Sequence, residues 1–305
     1  MNFRWKKLGV LIEPDVSVPW MATHAGPSHV RVDNDQILVY VSGRDINNVS
    51  RVGVVAVRLS GEEHSVLGVS LEPCLEVGAV GLFDENGASY PWIIQYDELF
   101  YMYYVGWVNG GRSRFQNFTG VAISKDGFRF ERVKNTPILD RTDLEPFGSG
   151  SCCVWVEDGL FKMYYTAFEP WIQKPGKNEP RYNLKLATSA NGIDWARDQT
   201  VVIDFKSHSE YAISRPSLLI EDGLYRLWYC SRGDKYRIGY AQSTDGKNYI
   251  RHDDSVGIEL SDDGWDSEMQ EYPHIFDYDD RRYMVYNGNN FGQTGLGLAV
   301  LEQHD

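Results

Sequence analysis

The sequence predicts an all-β protein, a five-bladed β-propeller whose ring is closed by the N-terminal strand. Two features of the chain carry this prediction. A unit of about 60 residues that reads as four strands occurs five times. The fifth copy ends one strand short, while an unmatched strand opens the chain. Repeats of this length, built from short strands, are typical of propeller blades.

The first half of the unit is an apolar strand, an acidic turn and an aromatic strand. It is clearest in residues 89–108, 150–169 and 214–233, and looser copies occupy 26–45 and 271–290. The strand-opening proline, or the residue aligned with it, falls at positions 27, 91, 152, 216 and 273, with Cys152 in the third copy. The intervals of 64, 61, 64 and 57 residues are regular enough to indicate an internal repeat.

The second half of the unit contains a hairpin turn of the form Ser-x-Asp/Asn-Gly, at 124–127, 189–192 and 243–246. Asp-Gly and Asn-Gly supply the positive φ angles that two-residue hairpin loops require. The turn joins a third strand to a fourth, which gives four strands per unit. A two-sheet sandwich is the alternative fold, but it does not predict five copies of one unit.

The two ends of the chain complement each other. Residues 294–302 form the last predicted strand, and residues 3–12 resemble the fourth strands of other units, such as 129–139. We therefore expect the two ends to pair in one blade, which would remove the open sheet edges. The predicted protein is a single domain, residues 1–305, with blades at about 24–77, 87–140, 149–205, 213–260, and 270–305 plus 3–14.

Composition limits the partners. The net charge of −13 disfavours nucleic acid and anionic membranes, since both are negatively charged. No apolar run approaches the roughly 20 residues of a membrane span or the core of a signal peptide, so a cytoplasmic location is expected. We interpret the cysteines as reduced core residues and expect neither a metal nor a cofactor. They are Cys74, Cys152, Cys153 and Cys230.

The combination of aromatic-Pro strand, acidic turn, Tyr-rich strand and Ser-x-Asp-Gly hairpin resembles the five-bladed glycosidase superfamily. That group includes arabinanases, xylosidases, invertases, levansucrases and mannoside phosphorylases. The stretch 214–299 is most similar to uncharacterised propellers of bacterial polysaccharide gene clusters. The resemblance implies a glycoside hydrolase-like enzyme that acts on a microbial surface glycan or its precursor, with a carbohydrate or nucleotide sugar as substrate.

Catalytic residues are sought among acids just ahead of the innermost strands, where ligands meet such a ring. Glycosidic cleavage needs two carboxyl groups, one protonated and one ionised. Asp84, Glu210 and Glu271 are the predicted catalytic acids, with Glu85, Glu145 and Asp266 at comparable positions. The alternative for each is an ordinary solvated acid, because the chain has 43 Asp and Glu residues.

Further polar and aromatic residues at these positions are predicted to bind the substrate. Arg215 precedes a strand-opening proline, and its fork suits a carboxylate or phosphate of the ligand, or an acid of a neighbouring blade. Histidines at such positions are more often hydrogen-bonded core residues than catalysts or ligands, and Tyr90 could simply pack. The predicted binding residues are His24, Tyr90, Trp107, Arg215, Arg232, Glu268, His274, Asn287 and Asn289.

The chain departs from the well-studied hydrolases at their catalytic positions. Arabinanase-like members have Asp before the strand-opening proline of the first two blades and a Glu from the third. Gly26 and Tyr90 precede the prolines here, and Ser151 precedes the third marker. Two alternatives to a hydrolase therefore remain open. One is an enzyme of sugar transfer or phosphorolysis in polysaccharide biosynthesis, and the other is a non-catalytic carbohydrate-binding propeller. A WD-repeat scaffold is disfavoured by its shorter period.

Overall fold

The computed structural model describes residues 2–304, which form twenty β-strands and no α-helix. Three short 3₁₀ turns, at Pro19–Met21, Asp253–Ser255 and Asn289–Gly292, are the helical segments of that range. None of them is long and apolar enough to cross a membrane. The strands fall into five antiparallel groups, and consecutive strands of a group are neighbours, as in a meander.

An N-terminal strand, β1 (Phe3–Ile12), precedes the groups. Group one contains β2 (His24–Asp33), β3 (Gln36–Arg44), β4 (Ser50–Ser60) and β5 (Glu63–Val69). Group two contains β6 (Ala88–Tyr96), β7 (Leu99–Asn109), β8 (Phe115–Ser124) and β9 (Glu131–Arg132).

Groups three and four share one eight-stranded sheet, joined by a single parallel bridge between Tyr182 and Ala212. Group three contains β10 (Ser149–Glu157), β11 (Leu160–Lys174), β12 (Lys177–Ser189) and β13 (Ala196–Ile203). Group four contains β14 (Ala212–Glu221), β15 (Leu224–Arg232), β16 (Tyr236–Ser243) and β17 (Ile250–Arg251).

Group five combines the two ends of the chain. It contains β18 (Glu271–Tyr278), β19 (Arg281–Asn287) and β20 (Leu296–His304). Strand β1 pairs antiparallel with β20, so the order of the sheet is β1-β20-β19-β18. The N-terminal strand thus lies where the other groups have their own fourth strand.

The first strands of the five groups contact one another in chain order, β2 to β6 to β10 to β14 to β18, and β18 contacts β2. Apolar side chains fill the spaces between neighbouring groups, and each of the largest clusters combines strands of two groups. The four cysteines are buried free thiols, as expected from the sequence.

The Ser-x-Asp/Asn-Gly turns form as their residues predict. In the first of them, the Ser124 hydroxyl accepts a hydrogen bond from the Gly127 amide at 2.9 Å, and Asp126 accepts from the next two amides. Gly127 has a φ of +77°, a conformation that a residue without Cβ adopts freely. The turn carbonyl then accepts a 2.9 Å hydrogen bond from Tyr40 of group one. The same tyrosine-to-turn link joins Tyr103 to Gly192 and Tyr164 to Gly246.

Each first strand is interrupted by a two-residue bulge at the position of the strand-opening proline. In group three the bulged residues are Gly150 and Ser151, and Cys152 already pairs with Tyr165. Ser151 is therefore the counterpart of the prolines, and the sequence alignment on Cys152 is wrong by one residue. Without a proline, the third repeat offered no marker for the bulge.

Candidate active site

A cavity of about 330 Å³ lies where first strands begin and second strands end, and residues of all five groups line it. Cavities of this size with a few polar groups among aromatic side chains are typical ligand sites. The charged lining residues are three arginines, Arg44, Arg114 and Arg232. The aromatic lining residues are Tyr90, Trp107, Phe115, Tyr182, Tyr236, Tyr272 and Phe291.

Glu271 opens β18 next to this wall. Its side chain is fully buried, and neither carboxyl oxygen has a hydrogen-bond partner of good geometry within residues 2–304. Burial raises the pKa of the Glu271 carboxyl well above its usual value, although the nearby Tyr272, Arg232 and Arg44 act in the opposite direction. Loss of water disfavours the charged form more than these neighbours favour it. Burial at this position therefore favours the protonated form of the Glu271 carboxyl.

The bulge explains why tyrosines face the cavity. Tyr90 and Tyr272 precede their prolines with φ angles of 55° and 57°, in the left-handed region that side chains rarely occupy. Such strain is held only where the surroundings fix it, and it is frequent at functional sites. The rings of Tyr90 and Tyr272 meet edge to face at 5.1 Å, and both line the cavity. Burial raises the pKa of both phenols, so they remain neutral donors.

Two long hairpins extend the cavity wall on one side. The β7–β8 hairpin and the β11–β12 hairpin continue their ladders to Asn109–Phe115 and Lys174–Lys177. They contact each other through the rings of Phe115 and Trp171, 5.4 Å apart, and through a 2.8 Å hydrogen bond from Asn178 to the Arg112 carbonyl. We call these hairpins the two arms, residues 107–117 and 168–182. They bring Trp107, Arg114 and Phe115 to the cavity.

Arg232 is fixed between aromatic rings at the end of β15. Its guanidinium carbon lies 5.0 Å from the ring centres of both Tyr211 and Tyr236. The buried carboxylate of Glu179, from the second arm, lies 3.6 Å from Arg232 and 3.8 Å from Arg114. Ion pairing with these arginines and with Lys177 holds the pKa of Glu179 below its usual value, against the effect of burial.

The loop acids ahead of the other first strands have a different role. Asp84 accepts hydrogen bonds from the Tyr104 hydroxyl at 2.9 Å and from Arg132 at 2.7 Å. It thereby joins the second strand of its group to the fourth strand. The corresponding partners are Tyr165 and Arg197 for Glu145, Arg251 for Glu210, and Tyr286 and Lys7 for Asp266.

These contacts correct the expected grouping of the three acids. Asp84 and Glu210 are buried and bound to arginines, Glu210 through two 2.7 Å contacts with Arg251, and neither lines the cavity. An acid recurs six or seven residues ahead of the proline position in successive repeats because the fold uses it as a strand-to-strand clamp. Glu271 is not a lining residue either, but it directly precedes the lining residue Tyr272, and it follows the clamp residue Asp266 by five positions.

Arg215 lies beneath the cavity rather than in its wall. Its side chain is fully buried and donates hydrogen bonds to the backbone carbonyls of Ser28, Tyr90 and Pro91, the last at 3.0 Å. Its own amide donates to the Ser151 hydroxyl at 3.0 Å. Burial lowers the pKa of Arg215 to about 10, so the cation persists at neutral pH. Arg215 therefore ties together first strands of four groups.

The two histidines also lie away from the cavity wall. His274 packs in the interior against His29, with ring centres 4.3 Å apart, and burial lowers the pKa of His274 to about 3. His24 is half-buried beside Thr23, at 2.9 Å, and burial lowers its pKa to about 4. Both imidazoles are neutral near pH 7.

The remaining predicted binding residues divide into two sets. Tyr90, Trp107 and Arg232 line the cavity, and their role in binding stays a prediction. Asn287 donates to the carbonyls of Ala25 and Gly295, and Asn289 holds the amides of residues 268 and 269. Glu268 is paired with Lys235 at the surface. Within residues 2–304, no cluster of three or more His, Cys, Asp or Glu side chains is arranged to hold a metal ion.

Sequence reasoning missed several cavity residues. Arg44 was missed although it ends the second strand of its repeat, in SGR, just as the predicted Arg232 does in CSR, and that shared position was an available signal. Arg114 and Glu179 lie in the arms, whose folding over the cavity no local pattern indicates. Tyr272 sits at the same bulge position as Tyr90 and could have been found from it.

No family model matches the chain. Two proteins of Mycobacterium tuberculosis strains, "Uncharacterized protein Rv1502" and "Uncharacterized protein MT1551", are each 36% identical to it over 299 residues. These alignments cover 98% of this chain and 99% of the mycobacterial proteins. The chain belongs to the Rv1502 family. A 1,2-beta-oligomannan phosphorylase of Thermoanaerobacter sp. (strain X514) is 36% identical over 85 residues, 28% of this chain and 26% of that enzyme.

Solved structures identify the fold of this Rv1502-family member. A glycoside hydrolase aligns over 99% of this chain and 93% of its own, with a TM-score of 0.76 at 17% identity. A second structure aligns over 98% of this chain and 94% of its own, with a TM-score of 0.74 at 15% identity. It is described with the words "The GH130 family of mannoside phosphorylases contains glycoside hydrolases that target beta-1,2 mannosidic linkages in Candida mannan". The chain therefore has the all-β, propeller-like fold of these proteins.

Proposed function

We propose that this protein is an enzyme that acts on a glycosidic bond, with Glu271 as the proton donor. One observation carries the proposal: a buried acid with a strongly raised pKa lies beside an aromatic cavity. Departure of a glycosidic oxygen needs a protonated carboxyl group, and burial is the usual means of keeping one near neutral pH. Glu271 gives its proton to the leaving oxygen in this scheme.

The cavity is the proposed carbohydrate site. Trp107 and Phe115 provide flat apolar surface for the faces of sugar rings, and Asn86 and Asn109 provide amide groups for hydroxyls. The Trp107 indole is held by a 2.6 Å hydrogen bond to Ser89, which fixes the plane of the ring. A carbohydrate and a nucleotide sugar both fall in the proposed substrate class, because each has a glycosidic bond to an oxygen leaving group.

We also propose that the five strand groups are the blades of one closed ring, with the boundaries expected from the sequence. Three contacts support closure: β18 with β2, Tyr283 of group five with Gly61 of group one, and Lys7 of β1 with the clamp acid Asp266. In a closed ring the cavity lies over the central strands, and Arg215 fills the axis below it.

Transfer of the sugar to an acceptor, phosphorolysis included, is the second candidate function. Hydrolysis needs a second carboxylate to activate water or to attack the sugar. No Asp or Glu lines the cavity within residues 2–304, and the nearby Glu179 is engaged by Arg114 and Arg232. An acceptor that is itself a strong nucleophile does not need that second carboxylate.

The experiment is product analysis on a panel of oligosaccharides, starting with β-1,2-linked mannosides because of the oligomannan phosphorylase relative. Each reaction is run with and without inorganic phosphate, for the wild type, Glu271→Gln and Glu268→Gln. We expect Glu271→Gln to lower the rate by about 10²–10⁴-fold, the usual worth of a general acid. Glu268→Gln changes an exposed carboxylate and should retain the rate. Equal rates for all three proteins would overturn the assignment of Glu271.

A further inference from the structure

The charge of the cavity is opposite to the charge of the protein. The whole chain has a formal net charge of −13, yet the charged residues lining the cavity in the described structure are Arg44, Arg114 and Arg232, with no Asp or Glu among them. Glu271, the acid next to this wall, is fully buried and is not among the lining residues. The positive electrostatic potential of such a site attracts an anionic ligand, while the negative potential of the remaining surface repels it. The ligand is therefore directed to the cavity.

Arg44 is the least compensated of the three arginines. It ends β3 and donates a 3.1 Å hydrogen bond to the Asn48 side chain. Within residues 2–304, no carboxylate lies within 4 Å of its guanidinium. A half-buried guanidinium bound to a neutral amide retains donors for a ligand, and its planar fork matches an oxyanion.

Glu179 compensates Arg232 and Arg114 only in part. Its Oε2 atom lies 3.6 Å and 3.8 Å from their nitrogens, beyond normal hydrogen-bond length, and has no hydrogen-bond partner in the described structure. One carboxylate faces two arginines there, so the local charge remains positive. Because the Tyr211 and Tyr236 rings fix Arg232, its guanidinium is already positioned for an incoming group.

We infer that the carbohydrate bound in this cavity carries an acidic group, a carboxylate or a phosphoryl group, which Arg44 and Arg232 hold. The inference rests on the proposed function for the identification of the cavity as a carbohydrate site. Its physical basis is that ion pairs between guanidinium and oxyanion are strong where water is excluded, whereas neutral sugar hydroxyls leave such cations poorly satisfied.

The test is a thermal-shift titration with four probes: D-glucose, D-glucuronate, D-glucose 6-phosphate and inorganic phosphate, all at one ionic strength. We expect at least one acidic sugar to raise the Tm of the wild type at concentrations at which glucose and inorganic phosphate do not. The carboxylate and phosphate probes distinguish the two kinds of acidic group. Arg44→Gln should weaken the binding of that sugar about tenfold or more, as expected for a lost charge-assisted contact.

Two further variants complete the experiment. Arg129→Gln removes an exposed arginine outside the cavity and should bind the acidic sugar as the wild type does. Arg114→Gln removes a largely exposed lining arginine, so it reports on the site even if Arg44→Gln does not fold. Its expected effect is a smaller loss of affinity in the same direction.

Three outcomes would overturn the inference. The first is that acidic sugars stabilise the protein no more than glucose does, and the second is that their effect survives unchanged in both lining variants. The third is that inorganic phosphate stabilises the protein as much as the acidic sugars do. The arginines would then bind a separate anion, such as a phosphate co-substrate, rather than an acidic group of the sugar. Binding and turnover separate this inference from the proposed function. If the wild type and Glu271→Gln bind the acidic sugar equally well and the wild type does not turn over any substrate, only the catalytic proposal is contradicted.

Discussion

The hydroxyl of Tyr283, in the last strand group, donates a 2.8 Å hydrogen bond to the carbonyl of Gly61, in the first. The two residues are 222 positions apart, and their contact repeats the tyrosine-to-turn link found between earlier groups. Contacts of this type join neighbouring groups through a polar pair, which is partly buried for Tyr283 and Gly61. They therefore contribute to stability at the junction where the chain ends meet.

Replacing Tyr283 with Phe should destabilise the protein by about 1 kcal/mol, because the ring stays and one hydrogen bond is lost. The measurement is the free energy of unfolding by urea. Tyr101→Phe, the same chemical change at a half-buried tyrosine, should leave that free energy nearly unchanged. Equal values for wild type and Tyr283→Phe would show that this link does not stabilise the junction.

Lys7 of the N-terminal strand binds the fully buried Asp266 at 2.7 Å. Lys7→Met should destabilise the protein by about 2 kcal/mol at pH 7. Breaking a fully buried ion pair costs about 3–5 kcal/mol, and the smaller value is expected here because Lys7 is partly exposed. The hydrogen bond from Lys7 helps to lower the pKa of Asp266, against the effect of burial. The stability from this lowered pKa is present above the unfolded value of 3.8 and is lost as pH falls below it.

The difference between wild type and Lys7→Met should accordingly shrink when unfolding is measured at decreasing pH, down to about pH 3. A difference that is constant with pH would mean that Lys7 acts through packing alone.

Arg215→Gln should destabilise the protein by about 3 kcal/mol, since up to three buried carbonyls lose their charged donor and each unmet group costs about 1–3 kcal/mol. The expected consequence is a lower urea midpoint, with ligand affinity at the cavity changed far less than in Arg44→Gln. Arg129→Gln serves as the exposed control. A variant of normal stability that no longer binds ligand would instead restore Arg215 as a binding residue.

Glu271 should make the stability of the protein depend on pH in a defined direction. Its pKa is raised in the folded state, so the folded protein holds this proton more tightly than the unfolded chain does. Stability from this group is therefore full below the unfolded value of 4.5 and falls as pH rises toward the folded pKa. Relative to Glu271→Gln, the wild type should lose stability over that range. Parallel pH profiles of the two proteins would contradict a raised pKa.

The repeat and the pairing of the chain ends were accessible from sequence because local chemistry encodes them. The turn from Ser124 to Gly127 is held by hydrogen bonds between its own residues. The surplus strand at residues 3–12 could pair with the last repeat, which lacked a fourth strand. The register of the third repeat was missed because Ser151 replaces the proline that marks the bulge elsewhere.

The candidate site was less predictable because its members come from distant parts of the chain. Asp84 and Glu210 recur at a regular offset, yet the regularity reflects a structural clamp. Glu271 stands out only in three dimensions, where no cation neutralises it directly. Arg114 and Glu179 depend on arms whose packing over the cavity is a tertiary property.

Glu271 is expected to be a protonated acid at neutral pH beside the proposed substrate cavity. The most direct measurement is the infrared difference spectrum of wild type minus Glu271→Gln at pH 7, in water and in heavy water. We expect a positive band from the carbonyl stretch of a protonated carboxylic acid, shifted on deuteration. A positive band from an ionised carboxylate alone would contradict it.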